Sequence, residues 1–172
     1  MKIGLVFGCF IPMHVGHNFM IRRARTENDK IILGICGYDD DRGKDFIDFQ
    51  TRQRIIQNKY KTDENIILSV VDDKKIGLTG KFDEEAWKTW SDEYFTNAGI
   101  DPNDKTVEFT WYTGDKQYID ELAKIFPSHK FVLLDKRAYR ISGTEIRDNL
   151  KGNLTKIDRD FLKYIYDNMA FD

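Results

Sequence analysis

The chain begins Met1-Lys2-Ile3-Gly4-Leu5-Val6-Phe7-Gly8-Cys9-Phe10-Ile11-Pro12-Met13-His14-Val15-Gly16-His17. Residues 2–7 are apolar and β-rich, the pattern of a buried strand. No small-residue cleavage site follows them, so they read as a first strand and not as a signal peptide. Residues 8–16 carry Gly, Pro and His, which marks a loop. Phe19, Met20, Ile21 and Ala24 then predict a helix running to about Glu27. A strand that passes through such a loop into a helix is the opening unit of a parallel sheet. Its loop lies at the carboxyl edge, where open α/β sheets bind ligands.

The rest of the chain keeps this rhythm. Apolar stretches at 30–36, 65–71, 106–113 and 130–134 read as strands. Residues 51–60, 118–126, 142–150 and 157–169 read as helices. Alternation of this kind predicts an α/β fold, a Rossmann-like doubly wound parallel sheet of about five strands. Residues 72–103, with Gly77, Gly80, Trp87, Trp90 and Gly99, interrupt it and predict a loop-helix insert over one sheet edge. No repeat, low-complexity tract or linker divides the chain, so residues 1–172 are expected to form one domain.

Composition excludes several classes. The 172 residues are 41% hydrophobic and 33% charged, as in a soluble globular domain and unlike a disordered one. The formal net charge of -2 argues against a general nucleic-acid coat protein. No apolar run approaches the roughly 20 residues of a membrane span. The two cysteines, Cys9 and Cys36, make no metal or redox spacing, which suggests a reducing cytoplasm.

The chemistry-bearing residues gather at the first loop. Two of the three histidines, His14 and His17, lie there beside Pro12. Gly8 allows a ligand close to the backbone, and Gly16 allows a tight entry into the helix. The helix start offers unpaired N–H groups and a positive dipole end, which suit phosphate. Zinc is a poor alternative, because no third ligand sits nearby at a familiar spacing. The G-x-G-x-x-G and G-x-x-x-x-G-K-[ST] patterns are both absent.

A second cluster is Ile141-Ser142-Gly143-Thr144-Glu145-Ile146-Arg147. Ser142 with Glu145 fits a capping box, which explains the segment without a ligand. Exposed N–H groups and Arg147 can also hold a polyphosphate, and the two roles are compatible.

Gly8-x-Phe10-x-Pro12-x-His14-x-Gly16-His17 resembles the G-x-F-x-P-x-H-x-G-H signature of the nucleotidylyltransferase superfamily. Ile141 to Arg147 is similar to that family's I-S-x-T-x-x-R motif, which binds the β and γ phosphates of a nucleotide. The middle of the chain narrows the resemblance. The acidic loop Gly37-Tyr38-Asp39-Asp40-Asp41-Arg42, the pair Trp87 and Trp90, and Val132-Leu133-Leu134-Asp135-x-Arg137 look like the NadR-type nicotinamide mononucleotide (NMN) adenylyltransferases. The likeness omits the N-terminal helix-turn-helix and C-terminal kinase segments of the longer members. Their regulatory and riboside kinase activities are therefore not implied.

The resemblance implies transfer of AMP from ATP to NMN, giving NAD and pyrophosphate. It places His14, His17 and Arg147 in catalysis. It places Gly8, Phe10, Gly16, Ser142, Gly143, Thr144 and Gly114 at the nucleotide, with the turn at 135–137 as a second contact there. Phe7, Asp39, Asp40, Arg42, Arg52, Trp87 and Trp90 fall to the acceptor. Each of these has an ordinary alternative: the Asp run as a solvated loop, Arg52 and Arg54 as a solvated helix face, the Trp pair as core. Mg²⁺ is expected to be held mainly through ATP phosphates, without a protein metal site. Neither a nucleic acid nor a membrane is an expected partner. Self-association is compatible with the fold, although no interface stripe stands out. His129, after Pro127-Ser128, is expected in an exposed turn without a role. A cytidylyltransferase, a phosphopantetheine adenylyltransferase and a non-catalytic nucleotide sensor are the competing readings.

Overall fold

The structure is a computed structural model that describes residues 1–76, 83–135 and 141–169. Five parallel strands form one sheet: β1 (Lys2–Gly8), β2 (Lys30–Gly37), β3 (Ile66–Asp72), β4 (Glu108–Thr113) and β5 (Lys130–Leu133), in the order β3-β2-β1-β4-β5. Seven α-helices are described: α1 (Val15–Glu27), α2 (Phe49–Tyr60), α3 (Asp73–Ile76), α4 (Glu84–Ala98), α5 (Lys116–Ile125), α6 (Gly143–Asp148) and α7 (Arg159–Asn168). A 3₁₀ helix at Lys151–Lys156 joins the last two. The fold is the Rossmann-like α/β architecture read from the sequence.

Side-chain parity along the strands builds two cores. Val6, Ile31, Leu33 and Ile35 face one side, where they meet Met20, Ile21, Ala24, Ile56, Phe161 and Ile165. Ile3, Leu5, Ile32, Cys36, Phe109 and Trp111 face the other and meet Trp87, Trp90, Tyr94, Phe95 and Leu122. Both faces of the sheet are thus covered, which is why its strands are apolar without a polar alternate face.

Two expectations are refined here. The helix in 72–103 is α4, which does more than cover the β3 edge. Its Tyr94 hydroxyl donates to Val6 O at 3.1 Å and Ile32 O at 2.9 Å, over the centre of the sheet. Gly34 makes room for it: a Cβ there would stand 2.8 Å from the Tyr94 ring. His129 is buried, not exposed. Its Nδ1 accepts from the Trp111 indole at 3.0 Å, and its Nε2 lies 2.8 Å from Pro102 O. Gly77, Gly80 and Arg137 lie outside the described residues.

The strand order reverses between β1 and β4. Chain direction runs outward from β1 through β2 to β3, then returns across the sheet to β4. The parallel register that pairs Lys2 with Glu108 and Leu5 with Trp111 sets the carboxyl ends of β1 and β4 side by side at the crevice. That crevice is where a sheet of this order opens to a ligand.

Candidate active site

The loop after β1 is held from three directions. Phe10 has φ 57°, an uncommon left-handed conformation for a residue with a side chain. Its ring is buried and meets the His17 ring edge-on, centroids 4.8 Å apart. Phe10 therefore supports His17 from below; its side chain faces the core and not the crevice. Arg52, fully buried, reaches from α2 to donate to Cys9 O at 2.9 Å and Ile47 O at 2.8 Å. On its other side it forms a bidentate pair with Asp41.

His14 caps α1. Its Nδ1 accepts from Gly16 N at 3.1 Å, while His17 Nδ1 accepts from His14 N at 3.2 Å. This is a capping box built from two imidazoles. The rings stack, with centroids 3.8 Å apart. Burial pushes the His14 imidazole down to about 4. Burial, then the neighbouring His14, pushes His17 well below its ordinary value. Both rings are therefore neutral at pH 7. Each Nδ1 is an acceptor and carries no proton, so each ring holds its proton on Nε2. The pair offers two uncharged Nε2–H donors.

The second cluster packs directly onto this loop. Ser142 caps α6, its hydroxyl accepting from Glu145 N at 3.2 Å. Arg147 Nη1 donates to Ile11 O at 2.6 Å, and Nη2 donates to Thr144 Oγ1 at 3.2 Å. The junction is tight. A Cβ on Gly143 would stand 2.7 Å from Ile11 O, and one on Gly16 would stand 3.5 Å from Ile141 Cγ2. Burial first, then the Arg42 guanidinium, lowers Arg147 from its usual value. Asp41 with Arg52 anchors the loop after β2, which carries Arg42.

A family model described as cytidylyltransferase-like matches residues 5–149, from the first strand through the second cluster. The chain belongs to the cytidylyltransferase-like family. It is 29% identical over 167 residues to the trifunctional NAD biosynthesis/regulator protein NadR of Salmonella typhimurium, a match covering 86% of this chain and 37% of that protein. It is 26% identical over 171 residues to a probable nicotinate-nucleotide adenylyltransferase of Fusobacterium nucleatum, covering 88% of each. A solved NadR structure in complex with NR superposes with a TM-score of 0.77 at 28% identity, covering 93% of this chain and 44% of that one. A second, in complex with NAD and AMP-PNP, gives 0.72 at the same identity, covering 93% and 45%. The chain thus spans little more than a third of the length of the NadR proteins it matches.

Of the residues that the resemblance assigned to catalysis and the nucleotide, His14, Gly16, His17, Gly143, Thr144 and Arg147 lie around one junction between the loop after β1 and the start of α6. Gly114 follows β4, and Asp115 next to it caps α5 by accepting from Gln117 N at 2.9 Å. The expected acceptor residues divide. Asp39 and Arg42 are exposed on the loop after β2, and Asp40 is exposed but paired with Lys74 at 3.0 Å. Arg52 is enclosed, and its guanidinium serves the loops. Trp90, 1% exposed, is core, stacked on Tyr94. Trp87 is also buried. Phe7 is half-buried and meets Trp90 at 4.6 Å, Tyr118 at 5.5 Å and Trp87 at 6.3 Å. Asp135 is described and exposed; Lys136 and Arg137 lie outside the described residues.

Sequence reading missed two residues of weight. In the sequence Asp41 reads as one more residue of a solvated acidic loop, yet it is the buried partner of Arg52. Burial works to raise its carboxyl, but the Arg52 guanidinium and the Gly43 and Tyr38 N–H groups override this and leave it lowered. Asp73, opening α3, is pushed up to about 7 by burial and by Asp72. Only its position after a strand could have flagged it.

Proposed function

We propose that this domain joins NMN to the AMP part of ATP, forming NAD and pyrophosphate. One observation carries the reading: Arg147, from the far end of the chain, donates to Ile11 O at 2.6 Å, on the same loop that leads into the stacked His14–His17 pair. Relatives named for NAD biosynthesis support the choice of acceptor.

The acceptor's phosphate oxygen attacks the α-phosphorus of ATP in line, and the bond to the pyrophosphate oxygen breaks. The attacking oxygen is already anionic, so no protein nucleophile or base is required. The chain's contribution is placement and charge stabilisation. His14 and His17 donate Nε2–H to the α-phosphate oxygens as charge builds. Arg147 and Arg42, with the N–H groups at the start of α6, hold the β and γ phosphates. Among the described residues, no three His, Cys, Asp or Glu side chains gather as a metal site. The edge carboxylates of Asp40 and Asp41 are engaged by Lys74 and Arg52. Mg²⁺ would be carried on the ATP phosphates, and the exposed Asp39 would be available to its water shell. Bound there, the ion would neutralise phosphate charge.

A second reading changes the acceptor to nicotinic acid mononucleotide. The Fusobacterium relative, matched along 88% of both chains, favours it. The test incubates the protein with MgATP or MgCTP and either mononucleotide, then separates the products. NAD from MgATP and NMN supports the proposal. The deamido dinucleotide alone supports the second reading, and no dinucleotide from any mixture refutes both.

A further inference from the structure

The residue before His14 and the residue after His17 are tied to one carboxylate-bearing residue at least 140 positions away. Asp158 N donates to Met13 O at 3.0 Å. Asn18 Nδ2 donates to Asp158 Oδ1 at 2.9 Å. Its neighbour Ile157 forms an antiparallel bridge with His14 itself. Asp158 is 2% exposed, and its charge is balanced by Lys59 of α2, whose Nζ lies 2.7 Å from Oδ1. Its other oxygen caps α7, accepting from Asp160 N at 3.0 Å and Phe161 N at 3.3 Å. Both carboxylate oxygens are fully used.

We infer that Asp158 is a positioning residue for the two imidazoles. A helix cap needs only one carboxylate oxygen and no contact with α1. Here the second oxygen is spent on Asn18, and the main chain on Met13, so the segment bearing both histidines is gripped at each end. The Asp158 carboxylate touches neither ring and acts through Asn18 and the backbone. The inference goes beyond the proposed activity but rests on it for its kinetic consequence.

Two variants separate positioning from stability. Asn18→Ala leaves the α7 cap and the Lys59 pair in place; Asp158→Asn keeps the shape but disrupts the shared acceptor. Each is expected to lower kcat about tenfold, since sub-ångström misplacement at a reacting centre is costly. KM for MgATP should stay within about twofold, and the double variant should lose no more kcat than Asp158→Asn alone. Asp158→Asn should also lower Tm, whereas Asn18→Ala should do so far less. An NMR arm needs no turnover: in Asn18→Ala the Cε1–H resonances of His14 and His17 should move while that of His129 stays. Unchanged kcat in Asn18→Ala, or unmoved His14 and His17 resonances, overturns the inference. Failure of the transferase reading is distinct. It appears as a wild-type chain that makes no dinucleotide, and the resonances then decide positioning alone.

Discussion

Replacing Gly143 by Ala tests the junction between the two clusters with a single methyl group. Gly143 is the first residue of α6, where alanine has the better helix propensity by about 1 kcal/mol. If α6 were an ordinary surface helix, the change would stabilise the protein. The structure predicts the reverse. The new Cβ would stand 2.7 Å from Ile11 O and 3.0 Å from Arg147 Nη1. The first of these is backbone and cannot swing aside. Restoring van der Waals contact requires α6 and the His14 loop to separate by about 0.7 Å. A displacement near 1 Å at a reacting centre costs about a hundredfold, so a loss of roughly thirtyfold in kcat/KM is expected. The strain should cost about 1–3 kcal/mol, lowering Tm by several degrees. The assay is steady-state dinucleotide formation with thermal unfolding in parallel. Gly99→Ala is the control: Gly99 has φ 69° but nothing within 4 Å of its Cβ position, so stability falls while kcat/KM stays. A Gly143→Ala protein with wild-type kcat/KM and raised Tm would show that the two clusters do not depend on this contact.

Four further outcomes are expected. His14→Asn keeps a side-chain acceptor for the α1 cap but removes the Nε2–H, so kcat should fall about a hundredfold with Tm little changed. Arg147→Ala should weaken MgATP binding at least tenfold by calorimetry, more than it affects NMN binding. Asp41→Asn leaves Arg52 buried without its counter-charge and should cost about 3–5 kcal/mol, lowering Tm by roughly 10 °C. The pH dependence follows from His14, whose folded value of about 4 lies below its unfolded value. The unfolded chain binds the extra proton between these values, so this stability is whole above about pH 6.5 and lost as pH falls towards 4. The loss is roughly 3 kcal/mol. Asp73, raised to about 7, acts with the opposite sign in an overlapping window, favouring the folded state as pH falls. The comparison of wild type with His14→Asn in denaturant titrations isolates the histidine. Equal pH slopes for the two would contradict the burial of a neutral ring.

What the sequence could reveal depended on whether the signal was local. β1 and β2 are apolar on both faces, and that continuity is what a doubly covered parallel strand requires. The two clusters were legible because their Gly, His and Ser residues act where they stand, capping the helices that follow them. Partners distant in sequence were invisible. Arg52 lies on a polar helix and looks solvent-facing; only the folded chain puts Asp41, Cys9 O and Ile47 O around it. His129 sits in a Pro-Ser turn that suggests exposure, yet the Trp111 indole needs an acceptor and takes it inward. Phe10 belongs to a nucleotide signature, but its side chain fills the core beneath His17. The 3₁₀ segment Lys151–Lys156 has no periodicity long enough to announce itself. Asp158 falls inside the stretch 157–169 that reads as helix, so its place as the cap of α7 does not show in the sequence.

The uncharged state of the stacked ring pair separates two tasks that a single cation would have to combine. Arginines attract a polyanion from a distance, whatever its shape. A neutral N–H dipole pulls only over a bond length and along one direction, so it rewards an oxygen that arrives in the right place and ignores one that does not. In the proposed reaction the departing pyrophosphate is held by the arginines, and the uncharged rings add no further charge that would retain it. Specificity of geometry and ease of release then come from the same choice of protonation state.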